Sequence, residues 1–264
     1  MADTVDLSYS DTGPVAGSEP PIIILHGLFG SKRNWGAIAK VLSQSRRVFC
    51  LDLRNHGESP WSDRMDYGAM ADDVAAFIDG HAGGHADVIG HSMGGKAAMI
   101  LALYHPDKVR YLTVVDIAPA PSPGTFIHYI KALKAMDLSR VSSRKEADAQ
   151  LASTEANPGI RAFLLQNLES DDGGFTWRVN LDVLAARMAD LLGFPDPGAR
   201  TFGNPTLFIA GGASTYVTPG HHDAINGLFP IADIEIMPGV GHWAHAEAPD
   251  LFLSLVQAFL QQPK

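Results

Sequence analysis

The chain has 264 residues, 46% of them hydrophobic and 19% charged, with a formal net charge of −9. This composition suits one large globular domain and excludes wholesale disorder. The acidic balance, with only the short basic pairs Lys32-Arg33 and Arg46-Arg47, excludes a phosphate-binding surface, so no nucleic-acid partner is expected.

The opening MADTVDLSYS has neither a basic start nor an apolar run, so no secretory signal is read there. No apolar stretch reaches the length of a membrane span. Short apolar runs of strand length then recur at Pro21–Leu25, Val48–Leu53, Ala86–Ile89, Tyr111–Ile117, Thr206–Ala210 and Ile231–Met237. Such unalternated runs predict strands covered on both faces, as in a parallel sheet. Helical patterns separate them at Trp35–Leu42, Tyr67–Asp79, Met93–Tyr104, His222–Leu228 and Pro249–Leu260. The alternation predicts an open α/β sheet wrapped by helices. Cys50, the one cysteine, lies in the second apolar run and reads as a buried thiol. With no intramolecular disulfide available, a reducing, cytoplasmic location is expected.

The rhythm breaks after the turn-rich PAPSPG at Pro119–Gly124. Phe126–Met136, Ser143–Leu151, Ile160–Leu168 and Leu181–Leu192 are helical in pattern, with no clear strand run among them. The expected organisation is a first core part over residues 1–118, a helical lid over 119–204, and a second core part over 205–264.

Gly90–Gly94 reads GHSMG, a G-x-S-x-G placed between the run Ala86–Ile89 and the helix Met93–Tyr104. A strand-to-helix turn of that kind holds Ser92 strained and exposed above the sheet edge, ready to act as a nucleophile. A serine hydroxyl needs a base. His242, in the loop PGVGHWAHAEAP after the last strand, is the candidate, with His245 as competitor. His242 and His245, or His221, His222 and Asp223, also read as metal ligands, but neither cluster has a ligand-spacing signature, and no metal is expected. His91 reads as structural. Oxyanion donors are expected from the backbone N–H groups of Leu28, in HGLFGS, and Met93, the residue after the nucleophile.

The acid is less obvious. TLFIAGGAS at Thr206–Ser214 runs into two glycines with no carboxylate before Asp223. Asp52 ends the second run but is followed by the charged RNHGES, and Asp223 falls within or beside a helix. Asp116 ends the strand after the nucleophile helix and keeps the order serine, acid, histidine along the chain, so it is preferred.

HGLFGSKRNW, DLRNHGES, GHSMGGKAAM, VVDIAP, FTWRVNLDVL, GGASTYV and GHWAHAEAPD together resemble the YbfF-type esterases of the α/β-hydrolase superfamily, over nearly the whole chain. The resemblance implies cofactor-free hydrolysis of small acyl esters or thioesters. It also implies an acid at Asp116 and a serine near the histidine–acid pair, which maps onto Ser214. Phe126, Phe163, Trp177 and Met188 of the expected lid, with Trp35 and Tyr216 beside the catalytic segments, are candidate pocket residues; the first four read more readily as plain core, and the last two are the better candidates. Other serine chemistries on the same fold, such as lactone or carbon–carbon bond cleavage, and a binding protein with residual activity are the alternatives.

Overall fold

A computed structural model describes residues 3–14, 19–171 and 173–262. The strands are β1 (Tyr9–Thr12), β2 (Ile22–Leu25), β3 (Val48–Leu51), β4 (Ala86–His91), β5 (Val109–Val115), β6 (Leu168–Asp171), β7 (Gly174–Trp177), β8 (Thr206–Gly211) and β9 (Ala232–Met237). The helices are α1 (Gly36–Leu42), α2 (Tyr67–His81), α3 (Met93–Tyr104), α4 (Ile127–Ala135), α5 (Arg144–Leu151), α6 (Pro158–Leu165), α7 (Leu181–Ala186), α8 (Met188–Leu192), α9 (His222–Leu228), α10 (Ala244–Glu247) and α11 (Pro249–Leu260).

Seven strands form one sheet in the order β1-β3-β2-β4-β5-β8-β9. All neighbours are parallel except β1, which pairs antiparallel with β3. Every residue of β2, β3, β4 and β8 is buried, as the unbroken apolar runs require of strands covered on both faces. Edge strand β9 instead exposes Asp233 and Glu235, charges that discourage pairing with another chain. The polar edge strand β1 carries no apolar run, so nothing in its composition announces it.

Helix α3 packs beneath the sheet centre, and small residues let it lie close. A Cβ at Gly94 would stand 2.5 Å from the His26 carbonyl oxygen, and one at Gly90 would stand 2.3 Å from that of Gly94. Between β5 and β8 the chain leaves the sheet for a segment that is mostly helical, as expected. It differs in two places. Leu168 begins the β6–β7 hairpin rather than ending a helix, and the expected helix Leu181–Leu192 breaks at Arg187 into α7 and α8.

This insertion is fastened to the core at both ends. The Lys96 ammonium of α3, wholly buried, donates to Ser122 Oγ at 2.8 Å and to the carbonyls of Leu192 and Gly193 at 2.9 and 2.6 Å. The Tyr67 hydroxyl donates to the Leu191 carbonyl at 2.6 Å, and Asn180 Nδ2 to Asn55 Oδ1 at 3.0 Å. These bonds seat the insertion over the carboxyl ends of the central strands, where α/β sheets place their sites.

Candidate active site

Ser92 sits between β4 and α3 with φ 52° and ψ −117°, a left-handed conformation that non-glycine residues avoid. The glycines before and after it make this possible, since α3 must turn back against β2 at once. Its amide is held by the Val115 carbonyl at 3.0 Å.

His242 reaches Ser92 from the loop after β9, its Nε2 3.0 Å from Ser92 Oγ. Its Nδ1 lies 2.7 Å from Oδ2 of Asp116, a carboxylate with no solvent exposure at the end of β5. Asp116 also has a positive φ, 47°, which turns its side chain toward the loop. Its Oδ1 accepts the Gly211 amide at 2.8 Å, and its Oδ2 accepts the Ser214 hydroxyl at 2.5 Å. Ser214 in turn accepts the Tyr216 amide at 3.2 Å. The Tyr216 ring stacks on His242 at 4.0 Å, and its hydroxyl is pushed to higher pKa by burial and by the charge of Asp116.

A carboxylate only accepts, so Nδ1 of His242 carries the proton and Nε2 presents a lone pair toward Ser92 Oγ. The loop carrying the imidazole is pinned on both sides. Glu247 accepts the amides of Gly241 at 2.7 Å and Trp243 at 3.2 Å, and His91 Nε2 donates to the His242 carbonyl at 2.9 Å.

Across the site, the loop after β2 presents the amide of Leu28. Two buried histidines shape it. His26 donates from Nδ1 to the Gly27 carbonyl and accepts the Leu53 amide on Nε2, while His56 accepts the Phe29 amide at 3.3 Å. Burial lowers both pKa values, that of His56 to about 3, so both rings are neutral near pH 7, and Phe29 takes a strained φ of 60°. Among the described residues, neither the Leu28 nor the Met93 amide has a protein acceptor.

A cavity of about 220 Å³ opens from Ser92 and His242 between this loop and the insertion, with Trp35, Phe126, Phe163 and Tyr216 in its wall. A smaller space of about 20 Å³ also borders Ser92, against Met93 and Met188. Trp177 does not reach either one. It pairs with Leu168 across the β6–β7 hairpin and packs, partly buried, against the main apolar core. His245, the competing base, lies instead under the cavity, stacked on Trp35 at 4.0 Å. Asp52 is taken by Lys32 at 2.9 Å and by the Glu58 amide at 2.9 Å, and Asp223 is exposed on α9. Burial pushes the Cys50 thiol up to about 12, so it stays protonated.

Sequence reasoning did not anticipate His26 and His56 as supports of the Leu28 loop, nor Glu247 as the clamp around His242. The available signal was their position: each lies in a quoted block, within four residues of one weighed for chemistry.

The geometry has close counterparts. Residues 20–160 match the family described as the alpha/beta hydrolase fold. The sn-1-specific diacylglycerol lipase ABHD11 of Mus musculus is 45% identical over 249 residues, 91% of this chain and 81% of that protein. Esterase YbfF of Escherichia coli (strain K12) is 35% identical over 241 residues, covering 91% of this chain and 92% of its own. A solved structure of a marine microorganism esterase superposes with a TM-score of 0.91 at 37% identity, over 97% of this chain and all of that one. Likeness at that level, carried through core and insertion alike, means that the chain belongs to the α/β-hydrolase family, within its group of YbfF-type esterases.

Proposed function

We propose that the chain is a serine esterase that hydrolyses short- to medium-chain carboxylic esters, acyl thioesters among them, through an acyl-enzyme. The observation that carries this reading is the unbroken hydrogen-bond chain from Ser92 through His242 to the buried Asp116. Ser92 Oγ attacks the ester carbonyl as His242 Nε2 takes its proton, and the Leu28 and Met93 amides receive the oxyanion. The C–O bond to the alcohol then breaks, with the proton returned from His242 to the leaving oxygen. Water repeats the sequence on the acyl-enzyme and releases the acid. Asp116 holds the imidazole in its working tautomer and stabilises the imidazolium, and Ser214 anchors Asp116. No metal or cofactor enters these steps.

The relatives named esterase and lipase support the reaction class, and the neutral histidines under the Leu28 loop support a preformed oxyanion site. The insertion serves as a lid that sets substrate range. A reducing, cytoplasmic setting suits the lone buried Cys50. No helix among the described residues is long and apolar enough to cross a membrane. The test is Ser92→Ala with p-nitrophenyl acetate and a fluorophosphonate probe. Turnover and labelling should both vanish while the far-UV spectrum and melting temperature stay near those of the parent. Turnover persisting in that variant would refute the proposal.

A further inference from the structure

The two spaces beside Ser92 are chemically unequal. His242 must deliver a proton to the leaving oxygen, so the leaving group lies on the side of Ser92 that His242 occupies. That side opens into the larger cavity, which His242 and Trp243 line; neither lines the smaller space against Met93. The larger cavity is therefore the leaving-group side, and its wall is mainly aromatic and aliphatic.

Beneath it lie two imidazoles that the reaction does not use, His91 and His245, with ring centres 5.0 Å apart. Their protonation follows from their partners. His91 Nε2 meets a carbonyl oxygen, which can only accept, so that nitrogen carries the hydrogen. Burial, with His242 and His245 nearby, holds His91 well below the ordinary histidine pKa, so its Nδ1 is a bare lone pair near pH 7. No donor among the described residues meets it. A Cβ at residue 27 would stand 2.9 Å from this nitrogen, and glycine there leaves it uncovered. His245 is 7% exposed, and neither of its ring nitrogens has a hydrogen-bond partner among the described residues, its Nδ1 being buried without one. Burial beside His242 lowers it to about 4, so it too is neutral, with one N–H and one lone pair unspent.

Among these nitrogens His245 Nδ1 is the one buried without a partner, at a cost of roughly 1–3 kcal/mol, while His91 Nδ1 and His245 Nε2 stand open to whatever fills the cavity their residues line. The set consists of an acceptor on His91 and a donor–acceptor ring on His245. A hydroxyl complements it, since it donates to one ring and accepts from the other. We propose that His91 and His245 form a hydrogen-bonding floor that recognises a hydroxyl on the leaving alcohol, selecting esters or thioesters whose leaving group has an apolar body and a free hydroxyl a few bonds from the scissile bond. This rests on the serine-esterase reading and names the substrate class for that same site. His91 and His245 act as specificity residues here; the base remains His242.

The experiment compares kcat/KM for monoacetates of α,ω-diols of two to six carbons with that for n-alkyl acetates of equal length. At the chain length that spans the cavity, the hydroxylated ester should be preferred about ten-fold, the worth of one well-placed neutral hydrogen bond. His245→Phe keeps an aromatic ring on Trp35 and should bring this ratio toward one, whatever loss both substrates share. The free diols should also inhibit the unmodified enzyme more tightly than the matching alkanols, a measurement that needs no variant. A ratio near one at every length, with diols no better than alkanols, overturns the proposal and identifies the site as a place for water. A preference that survives His245→Phe overturns it as well. Failure of the underlying reading looks different: neither ester series would turn over and Ser92 would not label.

Discussion

Replacing Asp116 by asparagine tests the site most sharply, because the amide cannot satisfy the three donors that now surround the carboxylate. Oδ1 accepts from the Gly211 amide, while Oδ2 accepts from His242 Nδ1 and Ser214 Oγ. If the amide oxygen takes the Oδ2 place, its NH2 faces the Gly211 N–H, donor against donor in a fully buried spot. Leaving a buried amide unsatisfied costs about 1–3 kcal/mol. If the NH2 takes the Oδ2 place, it donates to the Ser214 oxygen, which rotates to accept, and to His242 Nδ1. The Gly211 amide and His242 Nδ1 are then both paired, and only the hydrogen of the half-buried Ser214 hydroxyl must turn elsewhere, so this orientation wins. It forces the proton of His242 onto Nε2, facing Ser92, where the imidazole can no longer act as base. The expected loss in kcat/KM is about 10⁴-fold, or about 5 kcal/mol of barrier. Because the hydrogen bonds survive, the melting temperature should change little, which separates this outcome from misfolding. The assay is p-nitrophenyl acetate hydrolysis beside thermal unfolding by circular dichroism, with Asp223→Asn as control. A loss under ten-fold in a folded Asp116→Asn protein, or a larger loss in Asp223→Asn, refutes the reasoning.

Ser214→Ala removes one hydrogen bond to a charged acceptor but keeps the tautomer, so kcat/KM should fall about 10-fold, far less than for Asp116→Asn; equal losses in the two variants would contradict an anchoring role. Adding Ser214→Asp to Asp116→Asn places a carboxylate on the neighbouring strand end, and recovery of at least about ten-fold over Asp116→Asn alone is expected, on the scale of the charged hydrogen bond restored. Ser214→Asp by itself should lower activity, because two carboxylates in contact cannot both ionise. For Lys96, burial lowers the ammonium from 10.5 to about 7. Below that window both states hold the proton; within it the unfolded chain holds a proton that the folded chain releases, so this residue's contribution to stability rises with pH between about 7 and 10.5. The urea midpoint of the parent minus that of Lys96→Met should therefore grow from pH 7 to pH 9, and a difference that shrinks over that range sinks the argument.

The strands that carry the site were legible because each is buried on both faces and so had to be an unbroken apolar run; Ile22–Leu25 and Thr206–Gly211 are cases in point. The elbow was legible for a related reason. Close packing of α3 on the sheet tolerates no side chain at Gly90 or Gly94, and that requirement is written in the residue types. What stayed hidden depends on partners distant in sequence. The polar strand Tyr9–Thr12 is a strand only because β3 offers it an edge, and the hairpin Leu168–Trp177 alternates too briefly to outvote the helical pattern before it. His56 likewise gains its role from a fold that returns it to the loop after β2, whereas Glu247 bonds amides only six and four residues before it, and its exposed polar side chain carries no pattern that marks the clamp. Trp177 is the converse case, since an aromatic residue in an inserted segment packs against the apolar core as readily as it lines a cavity.

The glycines after β8 explain why the carboxylate bonded to His242 stands on β5. At Gly211 a Cβ would lie 2.2 Å from the Gly241 carbonyl oxygen, and at Gly212 one would lie 2.9 Å from that of Met237. The end of β8 therefore passes directly under the loop that delivers His242, and it supports that loop with backbone alone through the amides of Gly212 and Ala213. Ser214 is the first side chain beyond this crossing, and it arrives already within 2.5 Å of the Asp116 carboxylate. Two carboxylates there would share one proton near neutral pH and put less negative charge beside the imidazole of His242. A serine adds a donor without a charge, fixing Asp116 while leaving its full negative charge to face the imidazole. The absence of an acid after β8 is thus what a carboxylate at the end of β5 requires of its neighbour.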